Sequence, residues 1–106
     1  MNKGNYYKTK TANWLRADGY TVEYLEKLQR IVTKEGKVIY VKRDLLESDG
    51  LAVNEEEFIL WNSTTKEHAA EHVKRYAKLK LPPFIKKWVV IWEKRVREPE
   101  IIEVDA

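Results

Sequence analysis

His68 and His72 stand four residues apart. That spacing stacks two imidazoles on one face of a helix and suits a zinc ion. They are the chain's 2 histidines, there is no cysteine, and no HExxH surrounds them, so a solvated helix face is the better reading. The lack of cysteine also excludes a disulfide scaffold, a zinc–thiolate site, an iron–sulfur cluster and thiol catalysis. A second chemistry is electrostatic. Between Lys74 and Arg97 nine basic residues (Lys74, Arg75, Lys78, Lys80, Lys86, Lys87, Lys94, Arg95 and Arg97) face one acid, Glu93. Such a stretch can neutralise phosphates and release counterions, although a charge run alone is more often a solvated face. Trp61, Trp88 and Trp92 have faces on which bases could stack; in runs this apolar they are expected in the core, as is Trp14. Asp49-Gly50 reads as a turn pair. Asn62-Ser63-Thr64-Thr65 reads as a strand end leading into a helix cap. No P-loop, dinucleotide fingerprint or nucleophile elbow is present.

These residues need elements to position them. Asn5 to Asp18 reads as a helix capped by Asn5. Tyr7, Thr11, Trp14, Leu15 and Asp18 follow helical spacing with Ala12 beside them, and Gly19 supplies the left-handed stop. Tyr20 to Thr33 fits a helical stripe (Val22, Leu25, Leu28, Val32), yet both its ends are rich in β-formers. Lys34-Glu35-Gly36-Lys37 looks like a tight turn and Val38-Ile39-Tyr40-Val41 like a strand, so a hairpin from about Tyr20 back through Val41 is favoured. Asp44 to Gly50 is a polar turn region, and Leu51-Ala52-Val53 a short strand. Phe58-Ile59-Leu60-Trp61 is apolar on both faces and belongs in the middle of a covered sheet. Thr65 caps a helix reaching Lys80 that buries Ala69, Ala70, Val73, Tyr76, Ala77 and Leu79. Pro82-Pro83 ends it. Lys87 to Lys94 is a strand, and Glu100 to Val104 an edge strand blunted by Pro99 and its charges. Helices flanking a central mixed sheet make one α/β domain over residues 1–106.

Composition agrees. A chain of 106 residues supports one core, and 43% hydrophobic residues exclude wholesale disorder. Apolar runs such as Val89-Val90-Ile91-Trp92 fall far short of a membrane span, so no membrane partner is expected. The first ten residues hold no apolar run, so no secretory leader is expected. With no cysteine, the expected location is cytoplasmic.

In chain order, three phrases carry a resemblance. Gly4-Asn5-Tyr6-Tyr7-Lys8 opens a helix running to Gly19-Tyr20. Asp44-Leu45-Leu46-Glu47-Ser48-Asp49-Gly50-Leu51-Ala52 comes next, then Leu60-Trp61-Asn62-Ser63-Thr64. Together they resemble the PD-(D/E)XK, or restriction-endonuclease-like, nuclease superfamily, above all its small archaeal and viral members related to Holliday junction resolvases. In that family a helix with a Gly-aromatic opening, often with an acidic residue, precedes a strand. An aspartate phrase D-L-x-x-x-D-x-L-A follows, then a strand with Glu/Gln-x-Lys and a basic helix. The resemblance implies a restriction-endonuclease-like fold and phosphodiester hydrolysis on DNA or DNA junctions. Carboxylates would hold one or two Mg²⁺ ions, and a lysine would orient the attacking water.

By that resemblance Asp49 is the metal-holding aspartate, and Asn62 and Thr64 occupy the Glu/Gln and Lys positions of the catalytic set. Asn62 offers a neutral carbonyl oxygen; Thr64 cannot replace an ammonium. Lys8 falls where the acidic residue would sit, so one carboxylate is opposed by a lysine. Lys8 or Lys66 could supply the missing ammonium, and Glu23, Glu55, Glu56 or Glu57 a second carboxylate. Lys8, Lys10, Lys42, Arg43, Lys66, Lys74, Arg75 and Lys78 are the expected phosphate contacts, which position a duplex without reading bases. DNA is the expected partner, and a homodimer would suit a two-fold junction. Three readings stay open: a metal-dependent endonuclease, an inactive relative serving as a nucleic-acid-binding or protein-interaction module, or a small viral or archaeal domain whose basic stretch does nothing specific. The missing Glu-x-Lys favours the second.

Overall fold

An apolar strand needs cover on both faces, and the fold is arranged around that need. A computed structural model describes residues 3–44 and 47–104, with the backbone alone described for residues 3–5, 26–29, 31, 39 and 41–44. The elements are α1 (Lys3–Ala17), β1 (Thr21–Tyr24), β2 (Glu26–Val32), β3 (Val38–Asp44), β4 (Gly50–Val53), β5 (Phe58–Thr64), α2 (Lys66–Lys78), β6 (Ile85–Ile91) and β7 (Glu100–Glu103). Five strands form a mixed sheet in the order β1-β4-β5-β6-β7, which puts β5 in the middle. Neighbours run antiparallel except β5 and β6, which are parallel. A parallel pair needs a long connection, and α2 provides it. The fold is therefore a small α/β fold with two helices.

Each helix covers a cluster of its own. On one side Ala12 and Leu15 of α1 pack with Val22, Ala52, Ile59, Trp61, Val90 and Trp92. On the other, Ala69 and Tyr76 of α2 pack with Val89, Ile91 and Val104. Val89 and Val90 are both fully buried although successive side chains point to opposite faces. Two-sided cover explains the unbroken apolar run of β6.

Several boundaries differ from expectation. α1 starts at Lys3, so Asn5 lies inside the helix and does not cap it. Its end is as expected: Gly19, at φ 95°, and Tyr20 donate their N–H groups to the Arg16 and Leu15 carbonyls, both at 3.1 Å, in a Schellman cap. Ala70 and Ala77 are exposed, because the stripe that faces the sheet narrows to Ala69, Val73 and Tyr76, with Leu79 packed beside them just past the helix end. β6 spans Ile85–Ile91, earlier than Lys87–Lys94, because its pairing with β5 ends at Thr64 opposite Ile91. The expected hairpin is divided. β1 joins the main sheet beside β4, the chain leaves at Leu25, and β2 and β3 pair only with each other as a separate two-stranded ribbon. Leu45 and Leu46, inside the aspartate phrase, lie outside the described residues.

Candidate functional site

The ladder between β4 and β5 runs from Val53 opposite Phe58 to Gly50 opposite Trp61. One residue further the ladder ends, and side chains join the bonding. The Asp49 N–H donates to the Trp61 carbonyl at 3.0 Å and to Asn62 Oδ1 at 2.9 Å. The Ser63 N–H donates to Asp49 Oδ2 at 2.8 Å, and Asn62 Nδ2 donates to the Glu47 carbonyl at 2.6 Å. The Asp49 carbonyl accepts the Leu25 N–H at 2.9 Å, just where the chain departs toward the ribbon. Buried backbone groups need partners, and Asp49 and Asn62 supply them. Gly50 follows for a packing reason: a Cβ there would lie 2.6 Å from Trp61 Cε2 and 2.7 Å from the Glu23 carbonyl oxygen.

Asp49 is 5% exposed. The second oxygen of its carboxylate, Oδ1, lies 3.5 Å from Lys8 Nζ on α1. Both side chains are largely sheltered, so their attraction is less screened than at a surface. Beside them Trp92 Nε1 donates to Thr11 Oγ1 at 2.8 Å, and Thr11 Oγ1 donates to the Tyr7 carbonyl at 2.9 Å. Since the Thr11 hydroxyl has one proton, Ser63 Oγ, at 2.6 Å, must be the donor in that pair. Below this corner Ser48 Oγ and the Tyr76 hydroxyl are bonded at 2.8 Å.

The three residues of the expected catalytic set are only partly gathered. Asp49 and Asn62 are bonded to each other through the Asp49 main chain. Thr64 is buried but turns its hydroxyl to the Thr65 carbonyl at 3.3 Å. It lines an open cleft of about 380 Å³ with Tyr7, Ser63, Thr65, Glu67, His68 and His72, to which Asp49 and Asn62 do not contribute. Among the described residues no three His, Cys, Asp or Glu side chains gather to hold a metal ion. Glu57, one of the candidate second carboxylates, is bonded instead to Tyr20 at 2.7 Å and Lys86 at 2.6 Å.

The expected phosphate contacts are scattered. Lys8 faces Asp49. Lys10 lies 4.4 Å from the centre of the Trp92 ring system and donates to the Val96 carbonyl at 3.4 Å. Lys66 is bonded to Glu93 at 2.7 Å, which raises its pKa. Lys74, Arg75 and Lys78 are exposed on α2, with Arg75 paired to Glu71. Lys42 and Arg43 lie on β3, and their side chains are outside the described residues. The basic stretch from Lys74 to Arg97 is also less free than its sequence implies. Lys87 is 2% exposed and donates to the Tyr76 and Leu79 carbonyls at 2.8 and 3.0 Å. It thereby serves the C-terminal end of α2, where a cation is favoured.

Sequence reasoning missed Ser63, Thr11 and the Glu47 carbonyl as partners in this corner. One signal was legible: alternation along β5 puts Ser63 on the face of Ile59 and Trp61, which is the face α1 covers. No protein-family model, curated protein or solved structure matches the chain.

Proposed function

We propose that the chain is a DNA-binding protein on a restriction-endonuclease-like framework in which the Lys8 ammonium stands where an active relative would hold Mg²⁺. It binds duplex DNA and does not cut it. With the β2–β3 ribbon set between β1 and β4, the order of α1, β1, β4, β5 and α2 supports this reading, since it follows the helix, strand, aspartate strand, strand and basic helix that the resemblance implies. Asp49 sits at the head of β4, and Asn62 and Thr64 lie on β5.

The observation that carries the proposal is the engagement of Asp49 and Asn62. One Asp49 oxygen accepts the Ser63 N–H, and the other faces Lys8 at 3.5 Å. A divalent cation on that carboxylate would meet an ammonium at close range, and like charges at such distance repel strongly. Asn62 Oδ1, the remaining neutral oxygen, already accepts the Asp49 N–H. This donor set does not fit Mg²⁺, which demands octahedral oxygen ligands and usually one or two free carboxylates.

The test is incubation with supercoiled plasmid and with a four-way junction in the presence of Mg²⁺ or Mn²⁺, followed by mobility-shift and nicking assays. Retarded but intact DNA is expected. Metal-dependent nicks that disappear in Asp49→Ala would overturn the non-cutting reading and restore the endonuclease. No retardation at low salt would overturn DNA binding itself.

A further inference from the structure

The full chain carries a net charge of +3. From Glu26 to Asp44 six basic residues, Lys27, Arg30, Lys34, Lys37, Lys42 and Arg43, face three acids, Glu26, Glu35 and Asp44. The ribbon of β2, β3 and their turn therefore holds an excess of three positive charges, equal to the chain's whole net charge, while the rest is balanced. We infer that this ribbon is the arm with which the protein grips DNA, lying in the major groove of a B-form duplex. The inference rests on the DNA-binding reading above and assigns its binding surface to the ribbon, away from the basic helix α2.

The ribbon is built to meet something outside the body of the fold. Its strands pair in seven steps, from Glu26 opposite Asp44 to Val32 opposite Val38. Among the described elements neither strand packs substantially against any other. A lone two-stranded ribbon is marginal in water, yet this one displays apolar side chains. Val32 is 59% and Tyr40 61% exposed, and Arg30, Lys34 and Lys37 also face solvent. Stability does not account for such a surface.

Charge and size select the occupant. A positive ribbon docking on a second copy would set two like-charged arms together, whereas a polyanion is complementary. Strands of seven residues reach about 20 Å at roughly 3.3 Å per residue, and a B-form major groove about 12 Å wide admits a two-stranded ribbon. The A-form major groove of double-stranded RNA is too narrow for one. Arg30 stands directly opposite Tyr40. That pairing offers a guanidinium to a phosphate or a guanine edge beside an apolar surface for thymine methyl groups. Lys34 and Lys37, at the turn, fall at the end of the arm.

The test is fluorescence anisotropy with a labelled duplex across a salt series. It compares the intact chain, the ribbon variant Arg30→Glu/Lys34→Glu/Lys37→Glu, and the variant Lys74→Glu/Lys78→Glu on α2. The ribbon variant is expected to lose affinity by about tenfold or more, and its log–log salt slope to flatten by about 2.7, near 0.9 per phosphate contact. Lys74 and Lys78 are among the contacts the sequence points to, so the α2 variant is the competing arm: it is expected to lose less affinity than the ribbon variant, and an equal or larger loss would place binding on α2 and overturn the inference. The three ribbon side chains are exposed, so unchanged circular dichroism is expected. Tyr40→Ala, which leaves every charge in place, should weaken binding by a smaller factor, and a major-groove ligand should compete where a minor-groove ligand does not. If the intact chain and the ribbon variant bind alike, the inference fails and the DNA-binding reading stands. If the intact chain binds no duplex, both fail. A ribbon variant that keeps its DNA affinity but changes from dimer to monomer in sedimentation would make the ribbon a self-association arm and overturn the inference.

Discussion

Two groups of charges in this molecule are treated in opposite ways. At the end of the β4–β5 ladder, Lys8 and Asp49 sit in a corner where backbone N–H groups, a glutamate carbonyl and an asparagine amide are tied together. On the ribbon, Arg30, Lys34 and Lys37 stand in solvent, and among the described elements its strands pack substantially only on each other. The corner engages Asp49, Asn62 and Lys8 with one another and with the main chain. The ribbon leaves Arg30, Lys34 and Lys37 exposed. A charged residue's role here follows from what its neighbours already demand of it, and its place in a motif or a charge run says less. Lys87 makes the same point inside the most basic stretch of the chain: it is buried against carbonyl oxygens and offers nothing to a partner.

The largest effect that would sharpen this contrast is a packing one. Gly50→Ala would drive a methyl group into the fully buried Trp61 indole and set it 2.7 Å from a backbone oxygen. Neither can retreat easily, so a loss of about 3 kcal/mol is expected in urea unfolding, at the upper end of overpacking costs. The ribbon control, Tyr40→Ala, should stay within about 0.5 kcal/mol, as exposed substitutions do. A Gly50→Ala protein as stable as the parent would show that the corner is loose.

Lys87→Met comes next. It keeps the apolar stem and removes the ammonium that the Tyr76 and Leu79 carbonyls share. A charge-assisted bond is worth about 1.5–3 kcal/mol, so a loss of about 2 kcal/mol is expected by that scale. Lys34→Met on the ribbon turn should change stability by under about 0.5 kcal/mol. Equal effects at the two lysines would erase the distinction between spent and available charge.

Lys8→Glu addresses the corner directly. It replaces the ammonium 3.5 Å from Asp49 with a second carboxylate. Two sheltered like charges repel, and a drop of about 1–2 kcal/mol is expected near neutral pH. Mg²⁺ or Mn²⁺ should then restore part of the lost melting temperature, since ligand binding to the folded state stabilises it by mass action. The parent protein should show no such response. A variant indifferent to both metals would mean that Lys8 does not stand at a metal position.

How much of this was legible in the chain depends on which physics decided each feature. The helix stop at Gly19, the central place of β5 and the edge strand at Glu100 follow from local conformational preference and from apolar patterning, and all are present. The division of the hairpin at Leu25 was not legible. It is set by a bond to the Asp49 carbonyl more than twenty residues away, and no local preference reports such a contact. The opposition of Lys8 to Asp49 was expected from the resemblance, while the partners that complete the corner, Ser63, Thr11 and Glu47, are small polar groups without a spacing signature. The Asp49-Gly50 pair, read as a turn, owes its glycine to the Trp61 ring lying against it.

The smallest effect belongs to a third kind of charge, half in solvent and half spent. Glu57 accepts bonds from Lys86 at 2.6 Å and from the Tyr20 hydroxyl at 2.7 Å. These bonds, Lys86's first, hold its carboxyl below the ordinary value of 4.5. The same contact raises the Lys86 ammonium. Burial, and then the bond to Glu57, push Tyr20 up to about 12. A carboxyl lowered on folding contributes stability that is present above its unfolded pKa and lost as pH falls through its folded one. Lys86 and Tyr20, both raised, contribute below their unfolded values and lose that contribution as pH climbs through the folded ones. Solvent screens the exposed parts of this chain of bonds, so Glu57→Gln should cost only about 0.5 kcal/mol near neutral pH. The cost should vanish in acid, where the carboxyl is protonated in the folded and unfolded chain alike. Urea unfolding of parent and variant at both pH values measures it. A cost that persists in acid would assign Glu57 to packing, on the side of the corner, while one that disappears places it between the corner and the ribbon.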